Sequence, residues 1–407
     1  MTKASATNLI GNAAILKQIN KVRLLSRLRM EEVSRAELAR LTGLDAKTIT
    51  NLCNSLFQDG LLLTEDAKIK GRGRPAENLV LNPDAAFAVG VDIGAVQVSA
   101  VLIDLKGAVC GRWREEFGSP QDKEFLLKKV DSAIHSMINV LSPKRRKKLK
   151  GVGVCVPGFI NRYTGNVINS VNICGFRDVP LVEMLRKQFD KEIILEESSR
   201  SMALAEIWFG NRQNCENFMC MDLGFGIGIG IIHNGLVYRG ANECSGEIGH
   251  TVVDPDGKKC RCGKKGCLET VSGGKALQDI AERLAVATDG KCQSGKALYE
   301  AAVMGNRAAA RELAKAGHYI GIAIANVINL FDPGLVILNG GLVKAGEFIV
   351  EPVKSAIRDH SIGSFGRKCE FEISNLGDWA GAMGAAMLPL RNYFEFENVR
   401  LVKDVGK

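Results

Sequence analysis

Four side chains able to bind a metal ion lie close together in the second half of the 407-residue chain. His250 is followed ten residues later by Cys260, and Cys262 and Cys267 come within the next seven residues. Three thiolates and one imidazole form a donor set for tetrahedral zinc, and the glycines between them allow a tight turn. The spacing predicts a closed, structural zinc site, because four protein ligands leave no position for a reactive water. The alternative is three reduced thiols near one another by chance.

A second motif is a series of alternate glycines between Asp222 and Gly230. It does not match the dinucleotide-binding fingerprint, because Ile229 stands three residues after Gly226, and the sequence contains no Gly-Lys-Ser/Thr phosphate loop. Alternate glycines also occur where a strand packs closely against its neighbour. The glycine series is therefore compatible with either a phosphate-binding loop or a closely packed strand.

The first 63 residues have the pattern of a helix-turn-helix. Apolar residues at helical spacing predict a helix over 15–28, and Ser34 with Glu37 forms a capping box that begins a second helix over 35–41. A turn at 42–44 leads to Asp45, which caps a third helix ending near residue 58. The third helix carries short polar side chains that suit the major groove of DNA.

A basic hairpin is predicted to follow these helices. Strand-like segments at 61–63 and 78–81 flank a tip containing Arg72 and Arg74, whose cations suit phosphates or a narrow minor groove. Helix, turn and basic wing together favour DNA binding over a protein-contact module. The residues predicted to contact double-stranded DNA are Ser34, Arg35, Lys47, Thr48, Thr50, Asn51, Arg72 and Arg74.

The net charge of +9 is concentrated in two places. Residues 1–87 carry thirteen Lys/Arg against nine Asp/Glu, and residues 144–150 carry six further bases, which we interpret as a solvated helix end rather than a nucleic-acid surface. Twelve cysteines without a secretory signal indicate reduced thiols and a cytoplasmic protein. The absence of a long uninterrupted apolar stretch argues against membrane insertion.

From Phe87 onwards strands alternate with helices, and glycine is abundant. This pattern predicts an α/β fold with two lobes and a ligand cleft at the strand ends. The expected domains are a winged helix-turn-helix over 1–82 and a two-lobed domain over 83–407. Lobe one would cover about 83–205 plus the C-terminal helix, and lobe two about 206–380.

These residues resemble the ROK family of bacterial sugar kinases and sugar-responsive repressors over essentially the whole chain. The resemblance rests on motifs from both predicted domains: Ser34–Ala39, Gly73–Pro75, Asp92–Gly94, Pro157-Gly158, Asn172, Glu247–His250, Cys260–Glu269, Phe331–Pro333 and Gly381–Ala386. It implies an actin-like (ribonuclease H-like), two-lobed kinase fold behind the DNA-binding domain. It also implies that a sugar is surrounded by Gly158, Asn172, Glu247, His250 and Glu269, with His250 bridging sugar and zinc. Alternatively, these carboxylates only cap loops around the metal.

The chain departs from the family at the positions that perform phosphoryl transfer. The family's catalytic Asp, the general base, corresponds to Ser198, whose hydroxyl cannot accept the sugar proton near neutral pH. The hydroxyl-bearing residues of the two phosphate loops are replaced as well, in Asp92-Ile93-Gly94-Ala95-Val96 and in Gly224-Phe225-Gly226. The departures predict that sugar kinase activity, and hence any catalytic residue, is absent.

The favoured hypothesis is a sequence-specific transcriptional regulator, expected to repress carbohydrate genes and to respond to a sugar or sugar phosphate. As a homodimer or higher oligomer it would bind a pseudo-palindromic operator. One alternative is an active ATP-dependent sugar kinase with an attached DNA-binding domain, in which Glu197 replaces the missing base. Another is a regulator whose release from DNA is controlled by a protein partner.

Overall fold

The computed structural model describes residues 13–66, 77–117, 119–210, 212, 215–284, 295–363 and 368–395. The predicted wing-tip residues Arg72 and Arg74 lie outside these ranges. None of the helices in the described ranges is long and apolar enough to cross a membrane.

The N-terminal unit consists of three helices and a two-stranded hairpin. Ser34 begins the second helix by accepting a hydrogen bond from the backbone N–H of Glu37 at 3.2 Å, and Asp45 does the same for Thr48 at 2.9 Å. Gly43 ends the second helix with φ of 67°, a conformation that glycine adopts without strain. The elements are α1 (Ala13–Met30), α2 (Arg35–Thr42), α3 (Ala46–Gln58), β1 (Leu62–Asp66) and β2 (Glu77–Leu81).

Lobe one is built on a five-stranded mixed sheet with the order β10-β6-β3-β4-β5. Its central strand β3 is completely buried, with Val89 and Val91 packed in the same core as α4 and Ala88 in the core that contains α13. The elements are β3 (Phe87–Ile93), β4 (Gln97–Asp104), β5 (Val109–Glu116), α4 (Lys123–Val140), α5 (Pro143–Arg146), β6 (Leu149–Val156), β7 (Phe159–Asn161), β8 (Asn166–Asn169), β9 (Arg177–Val179), α6 (Leu181–Arg186), β10 (Glu192–Glu197) and α7 (Ser198–Phe209). Strands β7 to β9 form a small separate sheet that the sequence pattern did not predict.

Lobe two is built on a second five-stranded sheet, ordered β13-β12-β11-β14-β15. One face packs on α11 and α12, and the other packs on Ala203 of α7. The elements are β11 (Phe218–Leu223), β12 (Ile227–His233), β13 (Leu236–Val237), α8 (Glu269–Ser272), α9 (Gly274–Arg283), α10 (Gly295–Val303), α11 (Arg307–Phe331), β14 (Leu335–Asn339), α12 (Glu347–His360) and β15 (Glu370–Ile373). Helix α13 (Ala380–Met387) then returns to the sheet of lobe one.

Helices α7 and α13 pack against each other between the two sheets. Ser201 of α7 donates a hydrogen bond to the carbonyl oxygen of Gly381 in α13 at 2.8 Å. The N-terminal unit shares a continuous core with β4, α7 and α13, which includes Leu38, Val101 and Trp208. The α/β class and the two-lobed architecture are therefore confirmed, and the N-terminal helices are consistent with a helix-turn-helix.

Candidate functional site

A cavity of about 940 Å³ lies between the two lobes. Its volume falls in the range of small-molecule sites. All five residues that the resemblance assigned to a sugar line it, Gly158 and Asn172 from lobe one and Glu247, His250 and Glu269 from lobe two. We call these five residues the sugar wall. The first and last of these residues are more than 100 positions apart in the sequence, and tertiary folding brings all five together. Their contact with a sugar stays a prediction.

Glu269 connects the two sides of the sugar wall. Its Oε2 atom accepts hydrogen bonds from the backbone N–H of Ile227 at 3.1 Å and from Nδ2 of Asn172 at 3.3 Å. Asn172 belongs to lobe one and the other two residues to lobe two, so this carboxylate is shared across the cleft. An ionised carboxylate offers about four acceptor positions, so Glu269 can accept a hydrogen bond from a ligand hydroxyl in addition to these two.

The alternate glycines allow β12 to approach the cleft residues at backbone distance. A Cβ atom on Gly226 would lie 2.4 Å from Nδ2 of Asn172 and 2.6 Å from Oε2 of Glu269. A Cβ atom on Gly228 would lie 2.1 Å from the hydroxyl of Ser199 at the start of α7. All three distances are too short for a Cβ atom at these positions unless the neighbouring side chain moves. Close packing therefore accounts for the glycine series.

The four candidate metal ligands form one cluster beside the sugar wall. Their donor atoms all lie within 4.8 Å of one another. The Nδ1 atom of His250 is 3.5 Å from the sulfur of Cys260, and the sulfurs of Cys262 and Cys267 are 3.6 Å apart. A tetrahedral zinc ion with bonds of about 2.3 Å needs ligand separations of about 3.7 Å, so the donors fit a metal ion of this kind. The predicted ligand group is thus assembled.

His250 faces the metal cluster with one ring nitrogen and the cleft with the other. Its Nε2 atom is 3.9 Å from Oε2 of Glu247. Burial, together with the nearby carboxylates of Glu197 and Glu269, raises the pKa of Glu247 to about 7. A metal ion bound by these four candidate ligands would therefore fix the orientation of the His250 imidazole, which also borders the cleft.

The same cleft contains the residues at the positions that perform phosphate transfer in the family that the chain resembles. We call Asp92, Ala95, Ser198 and Phe225 the phosphate corner; all four line the cleft. The Oδ1 atom of Asp92 accepts hydrogen bonds from the hydroxyl of Ser198 at 3.3 Å and from the thiol of Cys155 at 3.2 Å. Burial raises the pKa of Asp92. Ser198 is therefore engaged as a hydrogen-bond donor, the reverse of what a general base does.

Glu197, the alternative candidate for a base, caps its own helix. Its two carboxylate oxygens accept hydrogen bonds from the backbone N–H groups of Ser199 at 2.9 Å and Arg200 at 3.0 Å. Burial raises the pKa of Glu197, although the nearby guanidinium of Arg200 opposes the shift. Both oxygens accept hydrogen bonds from the first turn of α7, so in this structure the carboxylate serves as the cap of that helix.

A buried ion-pair network lies behind Glu197, and the sequence patterns did not predict it. Glu196 pairs with Arg200 at 3.1 Å and with Arg239 of lobe two at 2.5 Å, although only 2% of the Glu196 surface is exposed. Arg200 also donates a hydrogen bond to the carbonyl oxygen of Glu243 at 2.9 Å. These contacts link β10 and α7 of lobe one to the segment after β13.

Three further cleft residues escaped the sequence interpretation. The hydroxyl of Ser170 and the Nδ2 atom of Asn339 are buried in the cleft wall with no hydrogen-bond partner among the described residues. Arg261, within the cysteine motif, donates to Oδ1 of Asn172 at 3.4 Å and lies 5.7 Å from the ring centre of Phe225. Only Arg261 stood in a motif; the others depend on the fold. Unpaired buried polar groups of this kind suit the hydroxyls of a ligand.

The predicted DNA-contact residues divide into two groups on the N-terminal unit. Lys47, Thr50 and Asn51 are exposed on one side of α3. The hydroxyl groups of Ser34 and Thr48 take part in helix caps; that of Thr48 donates to Asp45 at 2.6 Å. The guanidinium of Arg35 lies 5.9 Å from the ring centre of Phe57. The structure thus offers an exposed polar face on α3, and DNA contact by any of these residues stays a prediction.

Comparison with known proteins extends the similarity over nearly the whole chain. A model of the ROK family matches residues 88–392. The xylose repressor of Bacillus subtilis is 29% identical over 389 residues, which cover 95% of this chain and 98% of the relative. A ROK family transcriptional regulator, a homologue of the Escherichia coli MLC protein, superimposes with a TM-score of 0.75 at 25% identity and covers 93% of this chain and 98% of its own.

A solved kinase structure matches a shorter part of the chain. The ROK family glucokinase of Streptomyces griseus, in complex with glucose and AMPPNP, has a TM-score of 0.66 at 28% identity. It is covered over 99% of its length but matches only 74% of this chain. The two regulators therefore match nearly the whole chain, the repressor in sequence and the ROK regulator in fold, whereas the kinase matches a smaller part.

Proposed function

This chain belongs to the ROK family, and we propose that it is a DNA-binding transcriptional regulator, a repressor of carbohydrate genes, controlled by a sugar or sugar phosphate in its interlobe cleft. The observation that supports the proposal most directly is the union of two features in one packed structure. The helix-turn-helix unit shares a core with α7 and α13, and the same lobes enclose the sugar wall. The xylose repressor of B. subtilis matches over both parts, which agrees with this function.

The DNA-binding part of the proposal assigns α3 to the major groove. Lys47, Thr50 and Asn51 would contact bases or phosphates, because they are exposed on one side of a helix whose opposite side packs in the core. Ser34, Arg35 and Thr48 would support the helix ends near the DNA backbone, and Arg72 and Arg74 would contact it from the wing. Two copies of the chain would place two such helices on a pseudo-palindromic operator.

The effector part of the proposal assigns the sugar wall to ligand hydroxyls. Glu247 and Glu269 would accept hydrogen bonds from them, Asn172 would contribute its amide, and Gly158 would leave room for the ring. Zinc bound by His250, Cys260, Cys262 and Cys267 would hold the loop that carries His250 and Glu247. With four protein ligands the ion supplies structure rather than reactivity.

We further propose that the chain does not phosphorylate the sugar. The hydroxyl of Ser198 donates to Asp92, and the carboxylate of Glu197 caps α7, so neither group is placed to accept a proton from a sugar hydroxyl. The assay is ADP release with ATP and a panel of hexoses and pentoses. Turnover above the no-sugar background would overturn this part and favour the kinase alternative.

The proposal is tested by combining operator selection with ligand titration. DNA selected by the protein from a random-sequence pool serves as operator, and its affinity is measured by fluorescence anisotropy with and without D-xylose, D-glucose and their phosphate esters. We expect at least one of these or a related carbohydrate to weaken operator binding by tenfold or more. Failure to select DNA contradicts the regulator function. Selection of DNA without any carbohydrate effect contradicts only the effector part and favours control by a protein partner.

A further inference from the structure

One helix has an end at each of the two functional regions. Helix α7 spans Ser198–Phe209, and its twelve residues extend over about 18 Å. Its first two residues line the cleft, whereas its penultimate residue, Trp208, packs in the core shared with the N-terminal unit. Eight of its twelve residues are buried and none is exposed, so α7 is packed along its whole length between the two regions.

The cleft end of α7 is in contact with both lobes. Ser199 approaches the glycines of β12 in lobe two, where an added Cβ on Gly230 would lie 2.2 Å from the Ser199 carbonyl oxygen. Arg200 pairs with Glu196 and donates to the carbonyl oxygen of Glu243 in lobe two. A change in the distance between the lobes therefore acts on the first turn of α7 through direct contacts.

The other end of α7 is held by an arginine of the DNA-binding unit. Nη1 of Arg29, in the last turn of α1, donates to the carbonyl oxygen of Trp208 at 2.8 Å. The Arg29 guanidinium carbon lies 4.3 Å from the centre of the Trp208 ring, a cation–π geometry. The Trp208 ring also packs edge-on against Phe394, 5.2 Å between centres, and Ser26 of α1 donates to the Phe394 carbonyl oxygen at 3.0 Å.

We propose that Arg29 is the positioning residue that couples the cleft to the DNA-binding unit, through its hydrogen bond and stacking on Trp208 at the end of α7. The inference rests on the proposed regulator function. Burial lowers the pKa of Arg29 to about 10, so the side chain remains charged at neutral pH while most of its surface is removed from water. A buried, directional contact of this kind transmits a displacement that an exposed, solvated side chain would absorb.

The contact is tested by comparing Arg29→Met with Arg27→Met. Methionine keeps much of the apolar stem of Arg29 but removes its donor and its charge. Arg27 lies in the same last turn of α1 and makes neither contact with Trp208, so its replacement reproduces the change in charge alone. For each protein, the ratio of operator Kd values with and without the active sugar is measured, along with sugar affinity in the absence of DNA.

We expect Arg29→Met to reduce the ratio of operator Kd values at least fivefold, towards one, with sugar affinity unchanged within twofold. Arg27→Met should keep the wild-type ratio. An unchanged ratio in Arg29→Met would overturn the inference while leaving the regulator function in place. If the wild-type protein selects no operator, the proposed function itself fails, and this inference fails with it.

A second measurement tests the inference if Arg29→Met does not fold or if no active sugar has been identified. Hydrogen exchange of the wild-type protein is recorded with and without selected operator. Because coupling is reciprocal, operator binding should change exchange at residues 198–202, at the cleft end of α7. Trp208→Phe, which keeps the backbone acceptor and an aromatic ring, should diminish this change. Operator-induced exchange changes confined to 13–66 and 77–81 in the wild-type protein would contradict the inference.

Discussion

The sugar wall and the phosphate corner, two parts of the interlobe cleft, differ in which side chains can still bond to a ligand. In the sugar wall, Glu247 and Glu269 direct carboxylates at the cavity, and His250 faces both the cavity and the metal cluster. In the phosphate corner, the hydroxyl of Ser198 is bonded to Asp92, and Phe225 has no hydroxyl. Under the proposed function, binding a sugar and transferring a phosphoryl group to it would depend on separate sets of residues within one cleft. The first set can persist when the second is lost.

The largest effect is expected from removing the metal cluster that supports the sugar wall. Cys260→Ser should lose zinc and weaken sugar binding by more than about 100-fold, because the loop carrying Glu247 and His250 loses its anchor. Zinc content and calorimetric titration with the active sugar measure this. Cys110→Ser replaces an exposed cysteine outside the cluster and should bind sugar normally. Normal sugar affinity in a zinc-free Cys260→Ser protein would show that the wall does not need the metal.

A smaller effect is expected when a single carboxylate of the sugar wall is neutralised. Glu269→Gln keeps the shape but replaces a charged acceptor shared by Ile227 and Asn172, so sugar affinity should fall by about 10- to 100-fold. The matched control is Glu282→Gln, an exposed glutamate on α9 outside the cleft lining. Equal sugar affinities of the two variants would contradict a ligand role for Glu269.

The charge of the cleft predicts a preference between the two effector classes. Eight Asp and Glu residues line it against three Lys and Arg residues, and the lysine Lys344 and the arginine Arg114 already pair with Asp378. A phosphate ester adds up to two negative charges. We expect D-glucose 6-phosphate to bind at least tenfold more weakly than D-glucose, and 6-O-methyl-D-glucose to show how much of this is size. Tighter binding of the phosphate would show that the acidic side chains do not set selectivity.

The buried carboxyl of Asp222, which is near the phosphate corner, should make the stability of the protein depend on pH. Burial, with repulsion from Asp92 and Glu197, raises the pKa of Asp222 to about 8. In the unfolded chain the group ionises near pH 4, so between about pH 4 and 8 the folded protein holds more protons, and the free energy of unfolding falls as pH rises. Asp222→Asn should remove up to about 1.4 kcal/mol per pH unit of this fall. Urea unfolding at pH 6 and 8 tests it; Asp256→Asn, at an exposed position, should keep the wild-type slope.

The smallest effect is expected from restoring a carboxylate in the phosphate corner. Ser198→Asp returns the family's residue type at that position, but Val96 and Phe225 still lack the hydroxyls of the phosphate loops. ADP release in the presence of ATP and sugar should therefore stay at background. Sugar-dependent turnover in this variant would mean that Ser198 alone accounts for the absence of kinase activity in the wild-type protein.

Much of the local structure followed from the sequence. The helix caps at Ser34 and Asp45, the turn at Gly43 and the ends of α3 lie within a residue or two of their predicted positions. These features depend on contacts between residues three or four apart, which a sequence pattern contains. The pattern did not predict the ion pair of Glu196 with Arg239, because these two residues come from opposite lobes.

By itself, the sequence determined the chemistry available to this protein: a Cys3His donor set, a polar recognition helix and a serine in place of the expected base. Only the tertiary structure decided how those groups are used. It placed Asn172 against Glu269 across the cleft and set Trp208 beneath Arg29. Such contacts join residues about 100 to 180 positions apart, and close packing of the lobes alone fixes their distances and directions.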